Sequence, residues 1–469
     1  MSFAGEYATE ARLNPNTLAV VCEIDLNHAT WDPGTGTLTM ALNVSDKAVR
    51  ARSRAYDPRV VRGGWSGIRQ TIEIRSAGLS GMSTSVTLAD PDNRVRDAIV
   101  NADNRNSAAR ILRVVPGSND DYDTRFTGLL DSWEFSIGQV KLNLKTDERN
   151  LRANFPAFPY LKSEWFHMDP EFDRKLTPLV YGKHDSTALN LEHGMVPSVP
   201  VWRDASSSWH ATNLSSASYI KDVYVSDTST TTKQAWTAPG AGGNDYEKVY
   251  GSLAGGKIYT VIEFINFPST DKTVTADLYG YMLDPSQTTY TGADVCTNPV
   301  NQIRHFLVNF AANRTRGYIL SGAWDMVDPL IDSSSWDAAA TWADNHGLEG
   351  SRYLEDQKTA MSLFQEWCES FPMFRPFWNS QGAIELRVMS TEWPGYWDGA
   401  SDLIRREDTI GTAFRYNTDP LDITSKISVQ YLRDSVENKF LRTLDVQDPT
   451  TGELQDSALA MYWAPSRQT

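Results

Sequence analysis

NPVNQIRHFLVNF at 298–310, LIDSSSWDAAATWADNHG at 330–347 and KTAMSLFQEWCESFPMFRPFWNSQGAIELRV at 358–388 decide how this chain is read. Asn298-Pro299 opens a helix: Asn is a good N-cap, and Pro at the first helical position gives up an N–H that would go unbonded anyway. Val300, Ile303, Leu307 and Phe310 then recur at helical spacing, with Phe306 beside them. Residues 358–371 predict another helix, with Ala360, Leu363, Phe364, Trp367, Cys368 and Phe371 on one side and Pro372 as its stop. Residues 383–388 alternate as a half-buried strand does. No titratable cluster in this block has the look of an active site, and its pattern is one of packing.

Outward from this block the chain reads as short strands. Residues 18–24, 37–42, 72–74, 85–88, 110–115 and 140–144 predict strands separated by polar turns, with one short helix over 97–102, and the spacing suggests a barrel or sandwich. Strands return at 220–225, 258–264 and 274–278, divided by the Gly-rich tract 238–243, and again at 423–432 and 439–446. Residues 46–67 stand apart, without sustained periodicity and with five arginines, Arg50, Arg52, Arg54, Arg59 and Arg62, before Gly63-Gly64-Trp65. A loop this long is either a docking arm whose arginines pair with acidic rims or a solvated surface loop.

Composition narrows the function classes. Lys and Arg number 44 against 59 Asp and Glu, a net charge of −15, which argues against a dedicated nucleic-acid binder while allowing a lumen that repels phosphate. Three cysteines, Cys22, Cys296 and Cys368, are too few and too scattered for a disulfide framework or a zinc site. The N-terminus lacks an apolar signal region and no long apolar run occurs, so the expectation is a soluble protein made in a cytoplasm, with no membrane segment. The aromatic count is high, with 15 Trp, 19 Tyr and 17 Phe, as in β-structure, at interfaces, or in sugar-binding grooves.

The catalytic and cofactor templates each lack a required residue. Residues 251–257 fit the G-x-x-x-x-G-K of a phosphate loop, but Ile258 stands where Ser or Thr must hold the metal, and a strand follows instead of a helix. Eight carboxylates lie between 321 and 360: Asp325, Asp328, Asp332, Asp337, Asp344, Glu349, Glu355 and Asp356. Paired acids can serve glycoside hydrolysis. Several of these sit where helix ends favour them: Asp332 and Ser334 as caps, and Glu355 and Asp356 ahead of the next helix. Asp90-x-Asp92-Asn93 lacks the central Gly and distal Glu of an EF-hand loop and predicts a turn. The seven histidines show no H-x-x-x-H or H-E-x-x-H spacing, and Gly64-Trp65-Ser66-Gly67 is no nucleophile elbow, because Ile68 replaces its closing Gly. No catalytic, cofactor-binding or metal residue is therefore assigned, and no enzymatic activity is expected.

The ordered block 298–388 resembles the hub proteins of long-tailed bacteriophage tail tips and baseplates. The matching residues are Asn298 and Pro299, then Ile331, Asp332, Ser335 and Trp336, then Phe377, Gly382, Ile384 and Leu386. Residues 110–151 look like the closing strands of that family's first barrel, Leu176–Gly182 like its Pro-x-x-Tyr-Gly junction, and the strand near Val274 like part of its second domain. The resemblance implies a mainly β, multidomain chain with an α+β insertion. Its parts would be a first tail-tube-like antiparallel barrel over 1–155 with the Arg-rich loop 46–67, a connector and inserted β domain over 156–297, a helical α+β domain over 298–384, and second-barrel strands and tail over 385–469. It also implies a homotrimer of the virion that joins a six-fold distal tail or tail-tube ring to a three-fold fibre, spike or tip protein. Phage DNA would pass through its lumen unbound. Arg50, Arg52, Arg54, Arg59, Arg62 and Trp65 then become candidate docking residues. Relatives continue past the last barrel, so the functions of those extensions are expected on a separate polypeptide. The alternatives are a β-rich carbohydrate-binding or glycoside-hydrolysing protein and, within the virion, a fibre-base adaptor.

Overall fold

Alternation between apolar and polar residues builds the first sheet. Strands β1 (Ala19–Asn27), β2 (Thr39–Ser45), β5 (Val60–Trp65), β6 (Ser83–Ala89), β7 (Ala108–Val114), β8 (Tyr122–Ser136) and β9 (Gln139–Lys145) pair in the order β2-β1-β7-β8-β9-β6-β5, all antiparallel. Val86 and Leu88 of β6 and Val140, Leu142 and Leu144 of β9 are buried while their neighbours are not, the period-2 signature. Each such side chain contributes about 1.5–3 kcal/mol. A short helix, α1 (Arg94–Val100), follows β6, and Asp90 accepts its Val95 and Arg96 N–H groups at 2.9 Å each. In the computed structural model the described residues are 18–27, 39–70, 79–100, 104, 106–156, 158–201, 208–214, 218–227, 229–235, 245–253, 257–265, 272–280, 295–308, 331–388, 427–437 and 439–446.

The chain is mainly β and divides into two compact units. The first comprises residues 1–157, 298–349 and 356–389, and the second 158–297, 350–355 and 390–469. Two expectations need correction in the first. Residues 46–67 are not an irregular loop: they form a tight hairpin of β3 (Val49–Ala51) and β4 (Arg54–Tyr56), followed by β5. Nor is the seven-stranded sheet a closed barrel. Among the described residues β2 and β5 share no ladder, and the isolated parallel bridge Val44–Asp57 joins β2 only to the connection between β4 and β5. The predicted strand at 72–74 lies outside the described residues.

The rest of the first unit comprises residues 298–349 and 356–389. After β10 (Asn154–Phe155), helix α2 (Pro299–Phe306) starts as expected, the Asn298 side chain accepting from Val300 N–H at 2.9 Å and Asn301 N–H at 3.3 Å. Phe310 lies outside the described residues. Helix α3 (Ser333–Asn345) has Asp332 at its N-cap position, but that carboxylate accepts the Ser334 hydroxyl at 3.2 Å instead of a first-turn N–H. Strand β21 (Lys358–Thr359) pairs with β10, and α4 (Ala360–Ser370) is capped by Thr359, whose hydroxyl accepts Ser362 N–H at 3.1 Å. Glu355 and Asp356 thus precede a strand and not the helix. The hairpin β22 (Phe374–Trp378) and β23 (Ile384–Val388) closes the block. Rings run through it in sequence: Trp336 on Phe364, Phe364 on Trp367, Trp367 on Phe374, with centroids 5.4–6.2 Å apart.

The second unit is a pair of sheets sharing a core. One holds β11 (Leu179–His184), β12 (Val196–Pro197), β15 (Tyr219–Ser226), β16 (Thr231–Gln234), β19 (Thr273–Gly280) and β20 (Arg352–Leu354), with the main path β16-β15-β19-β11-β20. The other is β13 (Val199–Pro200), β14 (Ser208–Asn213), β18 (Lys257–Phe264) and β17 (Tyr246–Leu253). Val180, Val196, Ile220, Val223 and Leu278 from the first meet Tyr246, Ile262 and Phe264 from the second. Gly182, in the Tyr-Gly junction, has φ +75°, and a Cβ there would meet the Gly350 carbonyl oxygen at 2.1 Å, so only glycine fits. In the G-x-x-x-x-G-K match residues 251–253 end β17 and Lys257 opens β18, Leu253 pairs with Lys257, and a strand follows where a phosphate loop needs a helix. Of the expected second barrel, the described residues show the hairpin β24 (Ile427–Asp434) and β25 (Lys439–Val446), while β23 pairs with β22 instead.

Candidate functional site

Strand β1 places Glu23 on the same face as Ala19 and Val21, and the β3–β4 hairpin covers that face. Ala51 and Tyr56 pack there with Ala19, Val21, Leu112 and Val114. Glu23, 3% exposed, is left among apolar groups and must be paired. Arg52 Nη1 donates to its two oxygens at 2.9 and 3.0 Å, Tyr56 Oη donates at 2.6 Å, and Arg54 Nη1 lies 3.4 Å away. Burial, then the bond to Glu23, pushes the Tyr56 hydroxyl well above the usual tyrosine range.

The hairpin turn is unusual for its sequence. Arg52 and Ser53 both take left-handed φ, 51° and 58°, as the two central residues of a type I′ turn do, with neither Gly nor Asn present. Such conformations cost roughly 1–2 kcal/mol per residue. Three contacts hold them: Arg52 N–H donates to Ser118 O at 3.0 Å, Ser53 N–H to Asn119 Oδ1 at 2.7 Å, and the Arg52 guanidinium lies 4.3 Å from the centre of the Tyr122 ring. Replacing Glu23 with Gln keeps the shape and removes the charge that these donors satisfy. The expected result is a loss of about 2 kcal/mol in urea unfolding, since hydrogen bonds to charged groups contribute about 1.5–3 kcal/mol. An unchanged midpoint would mean the hairpin is held by packing alone.

The six sequence-nominated docking residues therefore separate. Arg52 and Arg54 are brought together on Glu23. Arg59 is turned toward the Asp90–Asp92 turn, bonding Asp92 with both terminal nitrogens at 2.7 and 2.8 Å and Asp57 at 2.7 Å. Its guanidinium holds the Asp92 carboxyl below the usual range. Arg50 and Arg62 are exposed, and Trp65 is half-buried at the end of β5. Sequence reasoning missed a further surface group. At the tip of the β8–β9 hairpin Ile137 is 104% exposed and Phe135 is 38% exposed. An apolar residue in the turn Ser136-Ile137-Gly138 was the available signal.

Part of the other nominated chemistry is engaged in structure, while Asp325 and Asp328 lie outside the described residues. Asp337 pairs with Arg304 at 2.5 Å, and Asp344 accepts the Asn298 amide at 2.7 Å, so two acids of the 321–360 group are bonded within the helical block. Trp165, Trp209, Trp336, Trp367 and Trp378 are at most 3% exposed, which places them in cores and not in a sugar-binding groove. Burial pushes the Cys22 and Cys368 thiols up to about 12, as inert core thiols. Among the described residues one set of groups able to ligate a metal comes together: His193, Asp434 and Glu437. No described helix is long and apolar enough to cross a membrane.

No protein-family model matches the chain, and no curated protein matches it. Among solved structures, a chain of the virion of a native gene transfer agent (GTA) particle is similar at 11% identity, over 58% of this chain and 83% of that one. The TM-score of that match, 0.25, is too low to define a shared fold.

Proposed function

We propose that this chain is a structural subunit of a phage-like virion, a trimeric hub of the tail tip or baseplate without catalysis of its own. The observation that carries this reading is the meeting of the resemblance residues at one junction. Trp336 Nε1 donates to Ile384 O at 2.8 Å, and Asp332 N–H donates to the same oxygen at 2.9 Å. Ser335 Oγ accepts from Leu386 N–H at 3.1 Å, and the Asn298 amide donates to Ala340 O at 2.9 Å. The motif residues are joints that tie two helices to a hairpin. In this role the block serves to hold shape, its polar groups being engaged in bonds between its own elements.

In this reading the chain joins a six-fold tail-tube or distal-tail ring to three-fold machinery and surrounds the DNA passage. The fixed arginine hairpin and the Ile137 tip offer contact surfaces to neighbouring subunits. Mass photometry of the purified chain, alone and mixed with the distal-tail protein of its particle, is expected to show a trimer. A chain that stays monomeric with that neighbour present would overturn the proposal, as would sugar release from a host polysaccharide abolished by Asp332→Asn. Ile137→Asp is expected to leave the unfolding midpoint within experimental error, because exposed substitutions change stability by roughly 0.5 kcal/mol or less. Assembly should weaken about tenfold or more, the effect of forfeiting an Ile burial of about 1.5–3 kcal/mol.

A further inference from the structure

We infer that His193, Asp434 and Glu437 form a binding site for a divalent first-row transition-metal ion. The inference is independent of the hub reading and concerns the second unit alone, to which all three residues belong.

The histidine-to-carboxylate distances are longer than a closed hydrogen bond and match the spacing of two ligands on one metal ion. His193 Nε2 lies 3.5 Å from Asp434 Oδ2 and 3.6 Å from Glu437 Oε1, and the three ligand atoms all fall within 4.8 Å of one another. A charge-assisted N–H···O bond closes to about 2.7–2.9 Å. A tetrahedral ion holding N and O ligands at about 2.0–2.2 Å sets them roughly 3.3–3.6 Å apart. The histidine-to-carboxylate separations match the second figure.

The surrounding bonds aim the ligand atoms. His193 Nδ1 is 3.1 Å from the Gly194 carbonyl, which can only accept, so the Nδ1–H donates and Nε2 is the ring atom that faces the carboxylates and would ligate an ion. Asp434 is fully buried at the end of β24. Its Oδ1 accepts from Val436 N–H at 2.9 Å and Glu437 N–H at 3.2 Å, while Oδ2, turned to the site, is buried with no hydrogen-bond partner. A buried carboxylate oxygen left unbonded is costly unless a cation completes it. Glu437 bonds Lys439 through Oε2 and keeps Oε1 for the site. The backbone beside His193 is fixed as well: Gly194 N–H donates to Thr275 Oγ1 at 2.9 Å, and a Cβ on Gly194 would meet the Ala276 backbone at 2.6 Å.

The donor set, one imidazole and two carboxylates, suits zinc, cobalt or manganese better than calcium, which takes six to eight oxygens. His193 is 18% and Glu437 47% exposed, so the open side faces solvent, where water completes the coordination. The test uses the full chain stripped with chelator and titrated with Zn²⁺ by calorimetry at neutral pH, with Co²⁺ absorption as a second readout. The expected result is one ion per chain and the visible bands of four-coordinate cobalt. His193→Ala and Glu437→Gln should each weaken uptake by a hundredfold or more. Glu437→Gln changes an exposed turn residue and should leave the metal-free unfolding midpoint unchanged, which separates lost ligation from lost folding. No uptake by the wild-type chain, or uptake that both variants retain, overturns the inference.

Discussion

Lowering the pH from about 7.5 to about 5 is expected to destabilise the second unit by about 4 kcal/mol and the first by about 2 kcal/mol. The cause is three histidines that the fold keeps neutral. Burial lowers His184 and His210 to about 4 and His305 to about 3, against 6.5 for the free side chain. Desolvation is the cause at both His184 and His210: His184 is buried with Nδ1 unpartnered, though the Tyr181 carbonyl at Nε2 favours a charge, and His210 lies buried perpendicular to the Phe264 ring at a centroid distance of 5.4 Å. The sign follows from proton counts. Between the folded and unfolded values the unfolded chain binds more protons, so stability is complete above about 6.5 and falls as the pH drops toward the folded values. At pH 5 each histidine is about 1.5 units below its unfolded value, or about 2 kcal/mol. His184 and His210 lie in the second unit, and His305 in the first. Asp277 works the other way, since burial raises its carboxyl and acid favours its folded state. Urea unfolding followed by tryptophan fluorescence at the two pH values measures the balance. A stability that does not change with pH would show that the histidines titrate freely.

Trp336→Ala is expected to cost about 3–5 kcal/mol, the range for deleting a buried aromatic side chain. Trp336 is fully buried, stacks on Phe364 and donates to Ile384 O, so its removal opens a cavity between α3 and the β22–β23 hairpin. Trp336→Phe separates the two contributions. It keeps most of the ring area and removes the N–H donor, and because Asp332 N–H still bonds the Ile384 carbonyl, the loss should be nearer 1 kcal/mol. Equal losses for the two variants would contradict the packing account.

The elements legible in the sequence are those whose own residues announce them. Asn298-Pro299, the apolar faces beginning at Val300 and Ala360, and the alternation at 85–88, 140–144 and 383–388 each became the expected helix or strand. What escaped depends on partners remote in the chain. β3 and β4 are three residues each, too short for periodicity, and Arg52-Ser53 lacks the Gly or Asn that marks a type I′ turn. Glu23 reads as a polar position in an alternating strand, and its burial comes from the hairpin that crosses above it. Whether seven strands close into a barrel depends on edge pairing, which strand count does not determine. His193 has no second histidine at ligand spacing, and the carboxylates that face it arrive from β24 and its turn, far along the chain.

The interleaving of the two units constrains how the chain can be made and cut. Strand β20 completes the β11 edge of the second unit, yet it is synthesised after α2 and α3 of the first. A ribosome must therefore release the first sheet, most of the sandwich and two helices before either unit can finish. A gene segment covering 158–297 alone would encode a sandwich with β11 as a bare edge, prone to pair with other chains. Lifting this part out as a cassette would leave that edge open, and because the two units alternate along the whole chain, exchange between related genes should favour transfer of the entire chain over internal breakpoints.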